Sequence, residues 1–342
     1  MKALLIGGTG TISMDVTKLC IKNGWDITLL NRGNTKHDLA VTQWTVDIND
    51  EMAVKSKLKG QHFDVIANFI NYTPEEIERD IRLFSDKTDQ YIFISTASAY
   101  QKPRIHYMVT ESTPLSNPYW EYSRDKIACE DRLMAEYRQN GFPITIVRPS
   151  HTYDARKIPI NIHGGKGSWS TLKRMMEDKP VIVPGDGTTT WPLTHSIDFA
   201  KGFTGLMGNH SAIGEAVHIT SDEALSWNQI YAVIGKALGV KPKLAHVSTD
   251  FLVEVRPSYE GALHGDKSAT VIFDNSKIKR LVPGFAATVR VDEGIRMALD
   301  YYMNTPSAQV EDPDFDRFTD LVIQAQTNAA NYVKQALEES NG

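Results

Sequence analysis

Cysteine is nearly absent from this chain. Only Cys20 and Cys129 occur in 342 residues, with no paired spacing. That excludes a disulfide framework and a cysteine-built zinc site, and a reducing cytoplasm is the expected setting. The ten histidines are scattered without the close spacing of metal ligands, so no metal is expected. A basic excess is missing as well. The formal net charge of -5 argues against a dedicated nucleic-acid binder, and no nucleic-acid partner is expected. Long apolar runs are also missing. The opening Met1-Lys2-Ala3-Leu4-Leu5-Ile6 breaks at Gly7, too short for a signal peptide or a membrane span. No later stretch comes near membrane length, so no membrane partner is expected.

What is present is the composition of a packed protein. The chain is 41% hydrophobic and 23% charged, and its length allows two compact units. Short apolar runs alternate with helical spacing through the first half. Strands are expected at Ala3–Ile6, Asp26–Leu30, Gln43–Val46, Asp64–Phe69, Gln90–Ser95 and Pro143–Arg148. Helices are expected at Met14–Asn23, Glu51–Lys59, Pro74–Ser85 and Trp120–Asn140. Such alternation predicts a Rossmann-type α/β fold, a doubly wound parallel sheet with helices on both faces. After Pro149 the pattern loosens. A smaller C-terminal α/β domain is expected over 151–342, with a return to the first domain (1–150) near 193–222. The tail carries a helical stripe of Phe315, Phe318, Val322, Ala325, Ala329 and Val333. It suits packing on the chain's own second domain, or a homodimer contact.

Three features carry chemistry. The loop Gly7-Gly8-Thr9-Gly10-Thr11-Ile12-Ser13 follows a strand and opens a helix, a context in which backbone amides can cradle a pyrophosphate. Ser13 stands where a third glycine is usual, and looser packing of helix on strand is expected there. The second strand ends Leu30-Asn31-Arg32 with no acidic residue to take the adenosine ribose. Arg32 and Lys36 suit a 2′-phosphate instead, so NADP is favoured over NAD. Asp47, followed by Ile48, suits the adenine amine, or else a helix N-cap. Tyr122 precedes Lys126 by four residues, one turn apart on one helix face. A cation there favours phenolate, so the tyrosine can exchange a proton with a secondary alcohol near neutral pH.

The ordered set Gly-Gly-Thr-Gly, Ser95-Thr96-Ala97-Ser98-Ala99-Tyr100, Tyr122-x-x-x-Lys126, Arg148-Pro149 and Gly185-Asp186-Gly187 with Asp198-Phe199-Ala200 resembles the extended short-chain dehydrogenase/reductase superfamily. That group holds the NAD-dependent epimerases and dehydratases. Leu30-Asn31-Arg32-Gly33 is similar to the branch that includes chloroplast stem-loop-binding proteins. The resemblance implies a nicotinamide cofactor on the sheet and an active site in a cleft between two domains. It makes Tyr122 the acid/base, Lys126 the holder of the nicotinamide ribose, and Thr96 the hydroxyl on the reacting oxygen, with Ser95 as competitor. Gly7, Thr9, Gly10, Thr11, Ile12, Asn68, Phe69, Ser95 and Ser150 would meet the cofactor. Ser98, His151, Trp191 and Trp120 would face a small-molecule substrate. Arg148 is expected to be structural.

Departures narrow the implied activity. Ala97-Ser98 stand where dehydratases of the superfamily carry Asp-Glu, so dehydration is disfavoured. Trp191 and Leu263 stand where nucleotide-sugar epimerases carry arginines that clamp the diphosphate, with Arg256 or Lys267 as the remaining cations nearby. Hydride transfer at a secondary alcohol or ketone of a sugar or sugar derivative is the expected activity. An NADPH-dependent reductase of a non-sugar carbonyl is the alternative enzyme. An RNA-binding protein that keeps the fold without catalysis is the alternative of another class.

Overall fold

A computed structural model describes residues 1–35 and 37–340. Lys36 lies outside them. Strands form at Lys2–Ile6 (β1), Asp26–Asn31 (β2), Thr42–Thr45 (β3), Val65–Asn68 (β4) and Tyr91–Ile94 (β5), all but the edge strand β3 on short apolar runs. With Ile144–Pro149 and Ala216–Ile219 they make a seven-stranded sheet. Its order is Ala216–Ile219, Ile144–Pro149, β5, β4, β1, β2, β3. Every neighbouring pair is parallel. This is the doubly wound Rossmann-type sheet expected from the alternation.

The helices Ser13–Lys22 (α1), Glu51–Leu58 (α2), Pro74–Phe84 (α3) and Glu121–Asn140 (α4) supply the crossovers. Successive side chains of β1 point to opposite faces and so feed two cores. Leu5 joins Val16 and Cys20 of α1 and Phe203 of the helix Ser196–Leu206. Leu4 and Ile6 join Val54 of α2, Ile77 and Phe84 of α3, and Leu133 of α4. The order in which strands are added reverses between β1 and β4, so the loops leaving these two parallel strands diverge. That opens the crevice in which such sheets bind ligands.

The chain groups into two compact units. The first holds Met1–Asp154, Pro192–Ala224 and Val271–Arg290, and the second holds Ala155–Trp191, Leu225–Thr270 and Val291–Gly342. The return of 271–290 has no signal of its own in the sequence. The second unit has its own core of Ile162, Ile182, Leu252, Leu263, Phe315 and Val322. Its small parallel sheet pairs Val181–Pro184 with Leu244–Val247. Its last helix, Pro313–Ser340, buries Phe315, Thr319 and Val322. Tyr332, Val333 and Leu337 farther along are more than half exposed. Packing on its own unit therefore accounts for only the first part of the apolar stripe. No helix among the described residues is long and apolar enough to cross a membrane.

Candidate active site

The site begins where β1 ends. Gly7 has φ +79, and a Cβ there would lie 2.4 Å from Ile70 Cγ2; a Cβ on Gly8 would lie 2.6 Å from Leu29 Cδ2. A side chain at either position would have to displace the Ile70 or the Leu29 side chain, and at Gly7 the positive φ also favours glycine. Ser13 does not loosen the loop. Its hydroxyl accepts from the Gly10 amide at 2.8 Å and donates to the Gly7 carbonyl at 2.8 Å, tying the loop's two ends together. Thr17 adds a bond to the Gly8 carbonyl at 2.7 Å. Thr11 and Ile12 lead into α1, which starts without a side-chain cap. Its first amides and its dipole favour an anion there.

A pocket of about 500 Å³ opens on this loop, a size suited to a cofactor. Gly7, Thr9, Gly10, Asn31, Arg32, Asp47 and Ile48 line it, together with Ile70, Tyr72 and Glu76. Arg32 is exposed. Asn31 Oδ1 accepts from the Gly33 amide and from Gln43 Nε2, both at 2.9 Å. Its Nδ2 is buried with no partner among the described residues. Asp47 is not a helix N-cap. It accepts from the Asn49 amide at 2.9 Å, and Asp50 caps α2 instead. A glycine loop with no room for a Cβ at Gly7 or Gly8, an uncapped helix start and an orphaned amide on the wall fit a dinucleotide.

Lys126 lies against the ring of Tyr72. Its ammonium is buried and donates to the carbonyls of Asn71 and, at 2.7 Å, Ile94. It sits 4.7 Å from the centre of the Tyr72 ring, 4.8 Å from Phe93 and 5.9 Å from Tyr122. Burial pulls its pKa down to about 8. Tyr122 is partly exposed, with its ring 5.0 Å from Trp120 and 6.2 Å from Tyr72. Trp120 itself is the N-cap of α4, so the helix starts one residue later than the spacing suggests. Thr96 belongs to a row of hydroxyls. Its Oγ1 lies 2.9 Å from Ser98 Oγ, which lies 2.7 Å from Ser123 Oγ.

Other expected residues fall outside the pocket wall. The Ser95 hydroxyl donates to Glu130, which forms a buried ion pair with Arg148 at 2.5 Å. Asn68 donates to Asp80 at 2.6 Å and accepts from the Ile70 amide at 2.8 Å. The Phe69 ring packs 5.2 Å from Phe203. These three side chains support the framework, Ser95 and Asn68 by bonding to buried carboxylates and Phe69 by packing on a neighbouring ring. The Ser150 hydroxyl is buried with no partner among the described residues, leaving both its proton and its lone pairs for a ligand. His151 is partly exposed and opens a short strand in register with Leu193. Trp191, expected to offer a stacking face, is 2% exposed and lies 6.3 Å from Trp227 at an interplanar angle of 21°. Its ring is core of the second unit, because a neighbouring aromatic covers it. Among the described residues no group of three His, Cys, Asp or Glu side chains could hold a metal.

Sequence reasoning did not find Asn71, Tyr72, Glu76, Ser123 or Glu130. Two had a signal: Ser123 and Glu130 fall three before and four after Lys126, on its own face of α4.

The family model described as the NAD dependent epimerase/dehydratase family matches residues 3–220. Among curated proteins, the chain is 26% identical over 263 residues to the chloroplast stem-loop binding protein of 41 kDa b of Arabidopsis thaliana. That match covers 72% of this chain and 65% of the relative, so the chain spans just under two thirds of that relative's length. It is 22% identical over 290 residues to 2'-dehydrokanamycin reductase of Streptomyces kanamyceticus, covering 83% of this chain and 80% of the relative. Among solved structures, UDP-glucuronic acid 4-epimerase from Bacillus cereus in complex with UDP-glucuronic acid and NAD superposes with a TM-score of 0.71. Identity there is 21%, covering 89% of this chain and 99% of that one, a likeness of fold.

Proposed function

Because the chain belongs to the NAD dependent epimerase/dehydratase family, we propose that it carries out reversible hydride transfer at a secondary alcohol or ketone, with a sugar or sugar derivative as its substrate class. The observation that carries this reading is the seat of Lys126: a buried ammonium fixed by two carbonyls, one helical turn from Tyr122 and beside a pocket built on a glycine loop. Gly7, Gly10, Asn31, Arg32 and Asp47 would hold the dinucleotide, and Lys126 and Ser150 its nicotinamide end. When bound, the nicotinamide supplies or takes up the hydride. Tyr122 moves the proton to or from the substrate oxygen, and the Lys126 charge stabilises negative charge on the phenol oxygen. Thr96 can donate to that substrate oxygen or accept from it, because a hydroxyl does both. Its proton is backed by the hydroxyls of Ser98 and Ser123.

Mass spectrometry of the native protein's released ligands, with titration of both nicotinamide cofactors, tests the reading. Retained NAD supports an epimerase-like cycle, and freely exchanging NADPH supports a reductase. Failure to bind either cofactor would overturn the proposal and favour a binding protein built on the same fold.

A preference for NADP(H) follows from Arg32 on the pocket wall and from the lack of an acid at the end of β2. A charge-assisted contact to the 2′-phosphate is worth about 1.5–3 kcal/mol. Arg32→Ala should therefore lower the NADP-to-NAD affinity ratio by roughly tenfold or more. An unchanged ratio, or tighter NAD binding by the native chain, refutes the assignment.

UDP-sugars should bind weakly. The resemblance puts Trp191 and Leu263 where nucleotide-sugar enzymes carry arginines, and both are buried in the second unit. Arg256 lies over the rings of Tyr259 and Phe318, and Lys267 lies 3.8 Å from Asp266. A diphosphate would be desolvated without its usual partners. Two lost contacts at about 1.5–3 kcal/mol each weaken binding at least about 100-fold. Calorimetry with UDP-glucose and UDP-galactose on cofactor-loaded protein checks this. A micromolar dissociation constant for either restores the nucleotide-sugar epimerase reading.

A further inference from the structure

The first unit buries an ion pair that the proposed chemistry does not use. Arg79 and Asp80, adjacent on α3, are 4% and 0% exposed. Asp80 Oδ1 accepts from Arg79 Nε at 3.0 Å and from NH2 at 2.8 Å. Oδ2 accepts from Asn68 at 2.6 Å, Asn71 at 2.7 Å and the Tyr91 hydroxyl at 2.5 Å. These five hydrogen bonds fill the carboxylate's lone pairs, the condition under which a buried charge is tolerated.

The pair reaches in two directions. Arg79 NH1 donates to Asn49 Oδ1 at 2.6 Å, and Asn49 is on the wall of the glycine-loop pocket beside Asp47. Arg79 NH2 donates to Asn71 Oδ1 at 2.6 Å. The Asn71 side chain is thus gripped at both ends, its oxygen by Arg79 and its nitrogen by Asp80 and, at 3.3 Å, by the Tyr91 hydroxyl. Its backbone carbonyl is one of the two that receive the Lys126 ammonium.

We propose that the Arg79–Asp80 pair positions Lys126 through Asn71, and that it sets the spacing between Lys126 and the Asp47–Asn49 wall of the same pocket. This rests on the reading of Lys126 as the group that serves the nicotinamide ribose. Asn71, Arg79 and Asp80 are positioning residues that touch neither cofactor nor substrate. A carbonyl held on a rigid side chain keeps facing the ammonium and favours its charged form, which burial otherwise disfavours. The remaining groups facing Lys126 are Tyr122, Cys129 and Glu130 of α4, Glu76 of α3, and Tyr72. None of them is hydrogen-bonded to the Asn71 side chain, whose partners among the described residues are Arg79, Asp80 and Tyr91.

The direct test is the titration of the Lys126 ε-position by carbon-13 NMR, assigned with Lys126→Arg, in the native chain and in Asn71→Ala and Tyr91→Phe. Asn71→Ala frees the carbonyl, so the charged form loses an acceptor and the midpoint falls. A fall of about half a unit or more is expected, with the alkaline limb of kcat moving the same way and kcat dropping roughly tenfold. Tyr91→Phe removes one bond to Asp80 and the long 3.3 Å bond from Asn71 Nδ2, but leaves Asn71 held by Arg79 and Asp80, so midpoint and limb should stay put whatever stability is lost. Should Asn71→Ala fold poorly, Arg79→Lys keeps the cation beside Asp80 but cannot bridge Asn49 and Asn71, and it should reproduce the shift. An unmoved midpoint in Asn71→Ala and Arg79→Lys, or an equal shift in Tyr91→Phe, overturns the proposal. If the native chain proves unable to bind nicotinamide, the function fails, yet the titration still decides whether this pair positions the lysine.

Discussion

Tyr122→Phe should lose at least about 100-fold in kcat, the lower end of what a positioned proton donor or acceptor contributes. Cofactor affinity should stay close to that of the native chain. The substitution removes one oxygen and keeps the ring, so the contacts to Trp120 at 5.0 Å and Tyr72 at 6.2 Å survive. Lys126 keeps both of its carbonyl partners, because neither depends on the phenol. The loss must then fall on the chemical step, lowering kcat and kcat/KM together. Steady-state kinetics with a reactive alcohol or ketone, alongside cofactor titration by nicotinamide fluorescence, separates the two effects. Turnover above about a tenth of the native rate removes Tyr122 from the acid/base role.

The largest effect on stability is expected at Glu130. This carboxylate is 2% exposed and accepts from Arg148 Nε at 2.9 Å and NH2 at 2.5 Å, and also from Ser95. Arg148 lies under the Tyr100 ring, 4.9 Å from its centre, and is itself 5% exposed. Glu130→Ala strands a buried guanidinium and should cost about 3–5 kcal/mol in urea unfolding of the first unit. Replacing both partners, Glu130→Met with Arg148→Met, should cost less than the single change, since no charge is then left unpaired. A single-variant loss below about 1 kcal/mol would mean that water reaches Arg148 and that the pair behaves as a surface ion pair.

Much of the first unit is legible in the sequence because its central strands are buried on both faces. Such strands read as unbroken apolar runs, as in Ala3-Leu4-Leu5-Ile6. Their edges differ by a residue or two from the expected ones, since capping sets where an element stops. Ser13 begins α1 while also bridging the glycine loop, a double use that propensity does not show. The hidden parts are those decided by distant partners. Glu75-Glu76-Ile77-Glu78-Arg79-Asp80 reads as a solvated run of charge, and only the fold reveals that Arg79 and Asp80 point inward. Thr96 and Ser98 are visible as a pair, but Ser123 joins them from 25 residues away. Trp191 reads as a binding aromatic until Trp227, far along the chain, is seen to cover it. The glycine loop, Asn31, Arg32 and the Tyr122–Lys126 spacing were readable because their meaning is local: a turn, a strand end, one turn of helix.

The two thiols give the molecule internal clocks. Both cysteines are fully buried, and burial pushes each thiol up to about 12, so in the closed protein neither reacts at neutral pH. Cys20 lies in the helix that starts at the glycine loop, and Cys129 lies three residues after Lys126. A disulfide reagent in excess therefore labels each one only when its own helix opens, and the labelling rate measures that opening. A ligand that stabilises the glycine loop slows the first clock, and one that engages the Tyr122 helix slows the second. Mass spectrometry of the labelled peptides thus shows which end of the site a compound grips, without any turnover assay.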